Sequence, residues 1–361
     1  ATTNGTPTIE ATNQGSATSV TFTSGVTSGT NATLITYTAE SASLDVTDGT
    51  IDSTGNASYD LDLTVSAGTA ANLRVTGTSS ISAGATDELT ITAKDTYGNT
   101  DTTYTGSKSL TFSGLATTNG TPTIEAVNQG SATSITFTSG VSNSNAATLL
   151  TYTAETASLD VTDGSIDSTG NTSYDLDLTV SATTAASLRI TGTASMTAGS
   201  NNELTITAKD TYGNTATGYT GAKSLTFSGL STTSGIPTIE ATNQGSATSI
   251  TFTSGVTSGT NATLIAYTVE SASLDVTDGT IDSTGNTAHD LDLTVTAGTA
   301  TNLRITGTAS IAAGATNELT ITAYDSGGNV ATGYTGAKSL TFSGLATTNG
   351  TPTIEAVNQG S

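Results

Sequence analysis

Five aspartates stand close together in the middle of the chain: Asp160, Asp163, Asp167, Asp175 and Asp177. Carboxylates in that number could do two kinds of chemistry. They could gather Ca2+, which takes about six to eight oxygens from carboxylates and carbonyls. A pair of them could also serve as acid and base in a hydrolysis. The same set recurs upstream as Asp45, Asp48, Asp52, Asp60 and Asp62, and downstream as Asp275, Asp278, Asp282, Asp290 and Asp292. Leu159 and Val161 flank Asp160, and Leu176 and Leu178 alternate with Asp175 and Asp177. If the apolar residues point inward along two strands, the carboxylates point outward. A hairpin then sets Asp160 across from Asp175 or Asp177, an arrangement that like charges destabilise. Asp163 and Asp167 fall in the connecting loop around Gly164. These five residues are therefore a candidate Ca2+ site, although their spacing is not that of an EF-hand and a flat strand face wraps a cation poorly. The competing reading is a solvated negative stripe that keeps near-identical neighbours from pairing edge to edge. For hydrolysis the pattern offers paired carboxylates but no cleft.

Other chemistries find less. The chain has no Cys, so neither a disulfide nor a thiolate metal site is available. Its single His, His289, occupies the place taken by Tyr59 and Tyr174 in the other copies, so no triad or zinc site is common to them. Asp95-Thr96-Tyr97-Gly98-Asn99 is the sharpest local motif. It reads as a turn in which Asp95 accepts from nearby N–H groups and Gly98 supplies positive φ, or as a ligand loop presenting Tyr97. The third copy, Asp325-Ser326-Gly327-Gly328-Asn329, keeps Asp, Gly and Asn and drops the aromatic, which favours the turn. Lys108, repeated as Lys223 and Lys338, shares strand parity with Leu110 and Phe112. It reads as a Lys that snorkels from a strand end, or as one half of a Lys–Asn isopeptide bond, although the last strand holds no Asn. Thr-x-Thr strands such as Thr90-Ile91-Thr92 suit an ice-binding face, but Thr is also an ordinary solvent-facing strand residue.

The elements that carry these residues are short strands. Apolar residues alternate with polar ones at Leu73/Val75, Leu89/Ile91/Ala93, Leu110/Phe112, Ile135/Phe137, Leu159/Val161 and Leu176/Leu178/Val180, between turns rich in Gly, Asn and Asp. No stretch holds a helical period. The spacing predicts seven or eight antiparallel strands per unit. The unit itself is an internal repeat of 115 residues. Ala1-Thr2-Thr3-Asn4-Gly5-Thr6-Pro7 returns at Ala116, in a close variant at Ser231, and again at Ala346. Repeats of this kind serve length and copy number. A unit of this size is large enough for its own core. The 30 acidic and 8 basic residues leave nothing to neutralise phosphates, which argues against nucleic acid and against anionic lipid. No apolar run approaches membrane-spanning length.

Small polar residues join the last strand of one unit to the first of the next near Gly68, Thr183 and Gly298. Those junctions predict two complete domains, residues 68–182 and 183–297. Residues 1–67 are then the C-terminal part of a preceding domain, and residues 298–361 the N-terminal part of a following one. The fourth copy restarts at Ala346 and stops, and the first residue is not Met. The expectation is a window from a longer array, or subunits that join end to end by sharing a domain.

The segments Asn72-Leu73-Arg74-Val75-Thr76-Gly77, Glu88–Asn99, Lys108–Gly114, Ala157–Gly164 and Leu176–Val180 resemble bacterial immunoglobulin-like repeats, the modules of invasin- and intimin-like proteins and giant adhesins. The resemblance runs over essentially the whole chain. It implies an all-β fold of tandem immunoglobulin-like β-sandwich domains and an extracellular or cell-surface setting. It implies no ligand, since this fold hosts many functions. The expected function is a non-catalytic stalk or filament-forming region of a microbial surface protein. The alternative is an adhesin whose modules bind host or matrix glycans or proteins through loops. Expected partners are neighbouring copies of the same repeat, by chain continuation or end-to-end self-assembly, with no nucleic acid and no membrane insertion. No cofactor is expected beyond the candidate Ca2+.

Overall fold

The computed structural model describes residues 4–27, 29–257 and 259–360. Among the described residues the fold is all-β, with no helix and with its strands gathered into several sheets. The chain forms two compact units. The first holds Ala1–Ala185 with Lys209–Gly218, and the second holds Ala186–Ala208 with Tyr219–Ser361.

In the first unit, residues 68–182 build an eight-stranded sheet. Its order is Asn72–Thr76, Thr90–Lys94, Val141–Ser142, Ala132–Thr138, Gly106–Ser113, Glu155–Thr162, Leu176–Ser181 and Ser80–Ser82. A four-stranded sheet, Thr86–Glu88, Thr148–Leu150, Thr123–Ile124 and Val127–Asn128, lies in the same repeat. Ala132–Thr138 and Leu176–Ser181 bury every second residue, as period-two patterning demands. Ile124 and Leu149 of the smaller sheet share one buried cluster with Leu73, Ile91, Leu110, Phe112, Ile135 and Leu159 of the larger. The outer edge of the first strand is also covered. The N–H groups of Leu73 and Val75 donate to the carbonyls of Asp167 and Tyr174, at 3.0 and 2.7 Å. The acidic loop is thereby tied to the first strand of this sheet.

Two features differ from the strand expectation. Twelve strand segments lie between Asn72 and Ser181, because left-handed residues break longer runs into pieces. Glu125 and Ala126, at φ 52° and 60°, make one such two-residue turn, and Ser139 with Gly140, at 48° and 83°, make another. The pairing is also not wholly antiparallel, since Ser80–Ser82 runs parallel to Leu176–Ser181. Alternation along a strand carries no information about the direction of its neighbour.

The second unit repeats this plan 115 residues on. Its eight-stranded sheet contains Ser187–Thr191, Thr205–Lys209, Gly221–Ser228, Ala247–Thr253, Glu270–Thr277 and Leu291–Thr296, with Ser195–Thr197 parallel at the edge. Leu188, Ile206, Leu225, Phe227, Ile250, Leu274 and Leu293 are buried in it.

The flanking segments are only partly cored. In the first unit Phe22 is 65% exposed, whereas its copy Phe137 is 2% exposed. In the second, Leu303 is 46% exposed and its copy Leu188 is 0% exposed. Pro7, Leu34, Leu44, Leu63 and Val65 line an open concavity at core-type positions. The cause is missing partners. Gly106–Ser113 is a strand because Ala132–Thr138 and Glu155–Thr162 flank it. Residues 336–343 repeat its sequence pattern without such neighbours and form no strand.

Candidate functional site

The Asp95–Asn99 loop is the site built most consistently. Asp95 Oδ1 accepts from the N–H groups of Tyr97 and Asn99 at 2.9 and 2.8 Å, the turn geometry expected of this sequence. Gly98 sits at φ 87°. Asp95 Oδ2 accepts from the Asn99 side-chain amide at 2.9 Å and from the Gly68 N–H at 2.9 Å. One carboxylate therefore holds both the loop and the segment around Gly68 that leads into the strand Asn72–Thr76. The linker is held a second time where Ala70 N–H donates to Asp101 Oδ2 at 2.8 Å. Asp95 is only 2% exposed, so an ionised carboxylate here needs donors on every side. Burial pushes its pKa up, but the Asn99 amide and the N–H groups of Gly68, Asn99 and Tyr97 outweigh that and hold it below the usual carboxylate range.

With the loop set, the Asn99 side chain reaches backbone about sixty residues earlier in the chain. Its Nδ2 donates to Tyr37 O at 2.8 Å, and its Oδ1 accepts from Ala39 N–H at 2.8 Å and from Asn4 Nδ2 at 2.6 Å. The primary amide thus pairs with the irregular backbone just before Glu40–Leu44 as a peptide group would. The rings of Tyr97 and Tyr37 meet edge to face at 5.2 Å.

The arrangement is made three times. Asn214 Nδ2 donates to Tyr152 O at 2.8 Å, and Asn214 Oδ1 accepts from Ala154 N–H at 2.7 Å and Asn119 Nδ2 at 2.6 Å. These contacts all lie inside the first unit. In the second unit Asn329 Nδ2 donates to Tyr267 O at 2.7 Å, and its Oδ1 accepts from Val269 N–H at 3.2 Å and Ser234 Oγ at 2.8 Å. Asp210 Oδ2 and Asp325 Oδ2 receive the linker N–H groups of Thr183 and Gly298 at 3.0 and 2.9 Å. Sequence reasoning identified the turn but not what it docks on. One signal was available: Asp, Gly and Asn persist through every copy of the loop, and positions 4, 119 and 234 always carry a donor (Asn, Asn, Ser).

The acidic hairpin is organised differently. Ser158 pairs with Asp177 and Leu159 with Leu176, so one further step along the ladder sets Asp160 beside Asp175. Each carboxylate finds mostly local donors. Asp160 Oδ1 accepts from Ser168 Oγ, Asp167 Oδ1 from Thr169 Oγ1 and Asp177 Oδ1 from Ser158 Oγ. Asp163 Oδ1 accepts from the N–H groups of Ser165 and Ile166, and its Oδ2 accepts from the Tyr104 hydroxyl at 2.7 Å. Asp175 Oδ1 is buried without a donor, as are Asp60 Oδ1 and Asp290 Oδ1. Burial, then contact with Asp45, raises the Asp60 pKa, and burial, then contact with Asp275, raises that of Asp290. Two facing carboxylates resist ionising together. Among the described residues no group of three or more His, Cys, Asp or Glu side chains is placed to hold a metal. Asp160, Asp163, Asp167, Asp175 and Asp177 are thus spread along the hairpin instead of converging on one point. Only Asp177 of the five is well exposed, the others being half-buried.

Lys108 lies with Nζ 4.3 Å from the centre of the Tyr104 ring, whose hydroxyl is bonded to Asp163. Lys223 over Tyr219, bonded to Asp278, repeats the stack. Burial first, then the Asp163 contact, pushes the Tyr104 hydroxyl pKa far above its usual value, so it stays a donor. Lys108 is therefore placed as a cation over an aromatic face.

No family model matches the chain, and no curated protein matches it. Solved structures do resemble parts of it. Domains 4–9 of the surface layer protein SbsC match with a TM-score of 0.23 and 17% identity, over 73% of this chain and 37% of that one. A β-glycosidase from Bacteroides vulgatus matches with a TM-score of 0.21 and 14% identity, over 57% of this chain and 23% of that one. The α-2-macroglobulin of E. coli matches with a TM-score of 0.24 and 10% identity, over 65% and 17%. The chain spans well under half the length of each. Scores this low leave function to be argued from the chain itself.

Proposed function

We propose that this chain is a structural stalk or filament segment of a microbial extracellular or cell-surface protein, and that its work is mechanical and non-catalytic. Its modules are tandem immunoglobulin-like β-sandwiches of 115 residues. Residues 68–182 and 183–297 are complete domains, residues 1–67 the C-terminal part of one, and residues 298–361 the N-terminal part of another. The observation that carries this reading is the joint. The same buried Asp and Asn hold the linker and the preceding repeat at all three repeat boundaries. A chain of independent binding modules on loose tethers has no use for such a joint. The exposed core positions at Phe22 and Leu303 support neighbouring repeats as the partners, through strands of the same sequence.

The adhesin reading asks for an aromatic loop presented in every copy. Tyr97 is half exposed, but Tyr212 lies against Tyr152 and position 327 is Gly. Extension of the single molecule under force tests the structural reading. Two separate unfolding events are expected, each releasing roughly 400 Å of chain for 115 residues at about 3.6 Å apiece. One cooperative event, or extension without resistance, would refute it.

A further inference from the structure

The three joints share one plan but not one set of parts. Two residues after the loop aspartate stand Tyr97, Tyr212 and Gly327. Tyr97 closes on Tyr37 with ring centroids 5.2 Å apart, and Tyr212 on Tyr152 at 5.4 Å. Tyr212 also lies on Gly84, at φ 78°, where any Cβ would overlap its hydroxyl. At the third joint Gly327 leaves Tyr267 without a ring partner from the loop. Gly199, the copy of Gly84, has φ 79° and nothing within 4 Å of where its Cβ would stand. One polar bond of this joint is longer, although Asn329 Nδ2 still reaches Tyr267 O at 2.7 Å. Val269 N–H reaches Asn329 Oδ1 at 3.2 Å, against 2.8 and 2.7 Å for Ala39 and Ala154 at the other two. Val269 and Ile236, where the second copy has Ala154 and Thr121, are 45% and 46% exposed.

We propose that the residue two places after the loop aspartate sets the compliance of its joint. Tyrosine clamps one repeat to the next, and glycine leaves a hinge held by polar bonds without an aromatic contact. An array of near-identical repeats then carries stiff joints and soft ones in an order written in the sequence. The polar bonds fix where the loop docks, because donors and acceptors must pair once water is excluded. The aromatic pair adds attraction beyond that, and a loop glycine adds backbone freedom that opposes docking. Gly327 does not itself occupy the left-handed region, so a tyrosine is compatible with its backbone. This proposal deepens the structural reading and rests on it for its purpose. Amide exchange reports on the joint alone, whereas the force experiment reports on the array, so the two can fail separately.

The test is amide hydrogen exchange on the full chain, read as protection at Ala39, Ala154 and Val269. Val269 is expected to be about tenfold less protected than the other two, the effect of one aromatic pair. Gly327→Tyr is expected to restore that protection. Tyr212→Gly is expected to remove about tenfold at Ala154 and leave Ala39 unchanged. Gly84→Ala and Gly199→Ala add the same left-handed strain, but only Gly84→Ala displaces a ring, so only it should expose Ala154 or Val269. Equal protection at the three amides, no gain at Val269 in Gly327→Tyr, or equal effects of the two alanine variants would each overturn the proposal.

Discussion

Replacing Asn214 by Ala should undo a joint while leaving its loop folded. The turn is held by Asp210, whose Oδ1 accepts from Tyr212 N–H and from Asn214 N–H, both of which survive the substitution. What disappears is the side-chain amide, with its bonds to Tyr152 O, Ala154 N–H and Asn119 Nδ2 at 2.8, 2.7 and 2.6 Å and one bond within the loop to Asp210 Oδ2 at 3.0 Å. Asn214 is 5% exposed, so water does not replace these partners while the loop stays docked. At about 0.5–1.5 kcal/mol net for each bond, the three that leave the loop come to about 2–4 kcal/mol of docking. Local opening governs exchange of the Ala154 amide, and a tenfold change corresponds to about 1.4 kcal/mol, so its protection should fall roughly 30-fold to several hundredfold. Ala39 N–H, held by Asn99 in the same molecule, is the internal control and should not respond. If Ala154 exchanges within about twofold of its original rate, the reasoning that Asn214 holds the joint is wrong.

Asn119→Ser should keep the joint, since Ser234 already donates to Asn329 Oδ1 in the third copy. Asn119→Asp should open it, because a carboxylate would face the Asn214 oxygen; exchange at Ala154 again decides. Ala126→Gly should stabilise the chain by about 1 kcal/mol, since an L-residue at φ 60° carries left-handed strain that glycine avoids, and calorimetry would read the gain. Asp95, Asp101, Asp163, Asp210, Asp278 and Asp325 are held below their usual pKa of 3.8 by hydrogen bonds that outweigh burial. The stability they supply is present above pH 3.8 and should be lost as pH falls through their lower folded values. Asp60 and Asp290 are shifted upward, so their contribution has the opposite sign, being full below the unfolded value and lost as pH rises through the folded one. Melting temperature should therefore rise somewhat on mild acidification and then fall steeply below pH 3.8, and Asp290→Asn should blunt the rise. Melting curves in Ca2+ and in chelator should coincide, because the hairpin carboxylates do not converge on one point; a higher midpoint in Ca2+ would restore the metal reading.

Most strands were legible in the sequence because one face of each is buried, and burial of alternate residues writes a period of two into the chain. Leu176, Leu178 and Val180 are inside and Asp177 and Thr179 outside, as the pattern demands. The turn at Asp95–Asn99 was legible for a related reason. Its geometry is set by residues within hydrogen-bonding reach along the chain, and few residue types satisfy it. The repeat, the absence of thiol chemistry and the acidic excess needed only the sequence. Which strands become neighbours did not lie in any local pattern. Ser80–Ser82 runs parallel to Leu176–Ser181 across about a hundred residues, and its sequence is not distinguished from that of an antiparallel edge strand. The aspartates illustrate the same limit. Their spacing brings five carboxylates onto one hairpin, yet whether they converge on a cation or turn to separate hydroxyls depends on the path of the loop between the strands. The joint is the clearest case. Asn99 looked like the end of a turn because its backbone is one, but its amide points out of the turn to Tyr37 and Ala39, about sixty residues away. Only the folded chain brings that backbone within reach, since docking is selected by the fit of two surfaces and leaves no period in either sequence.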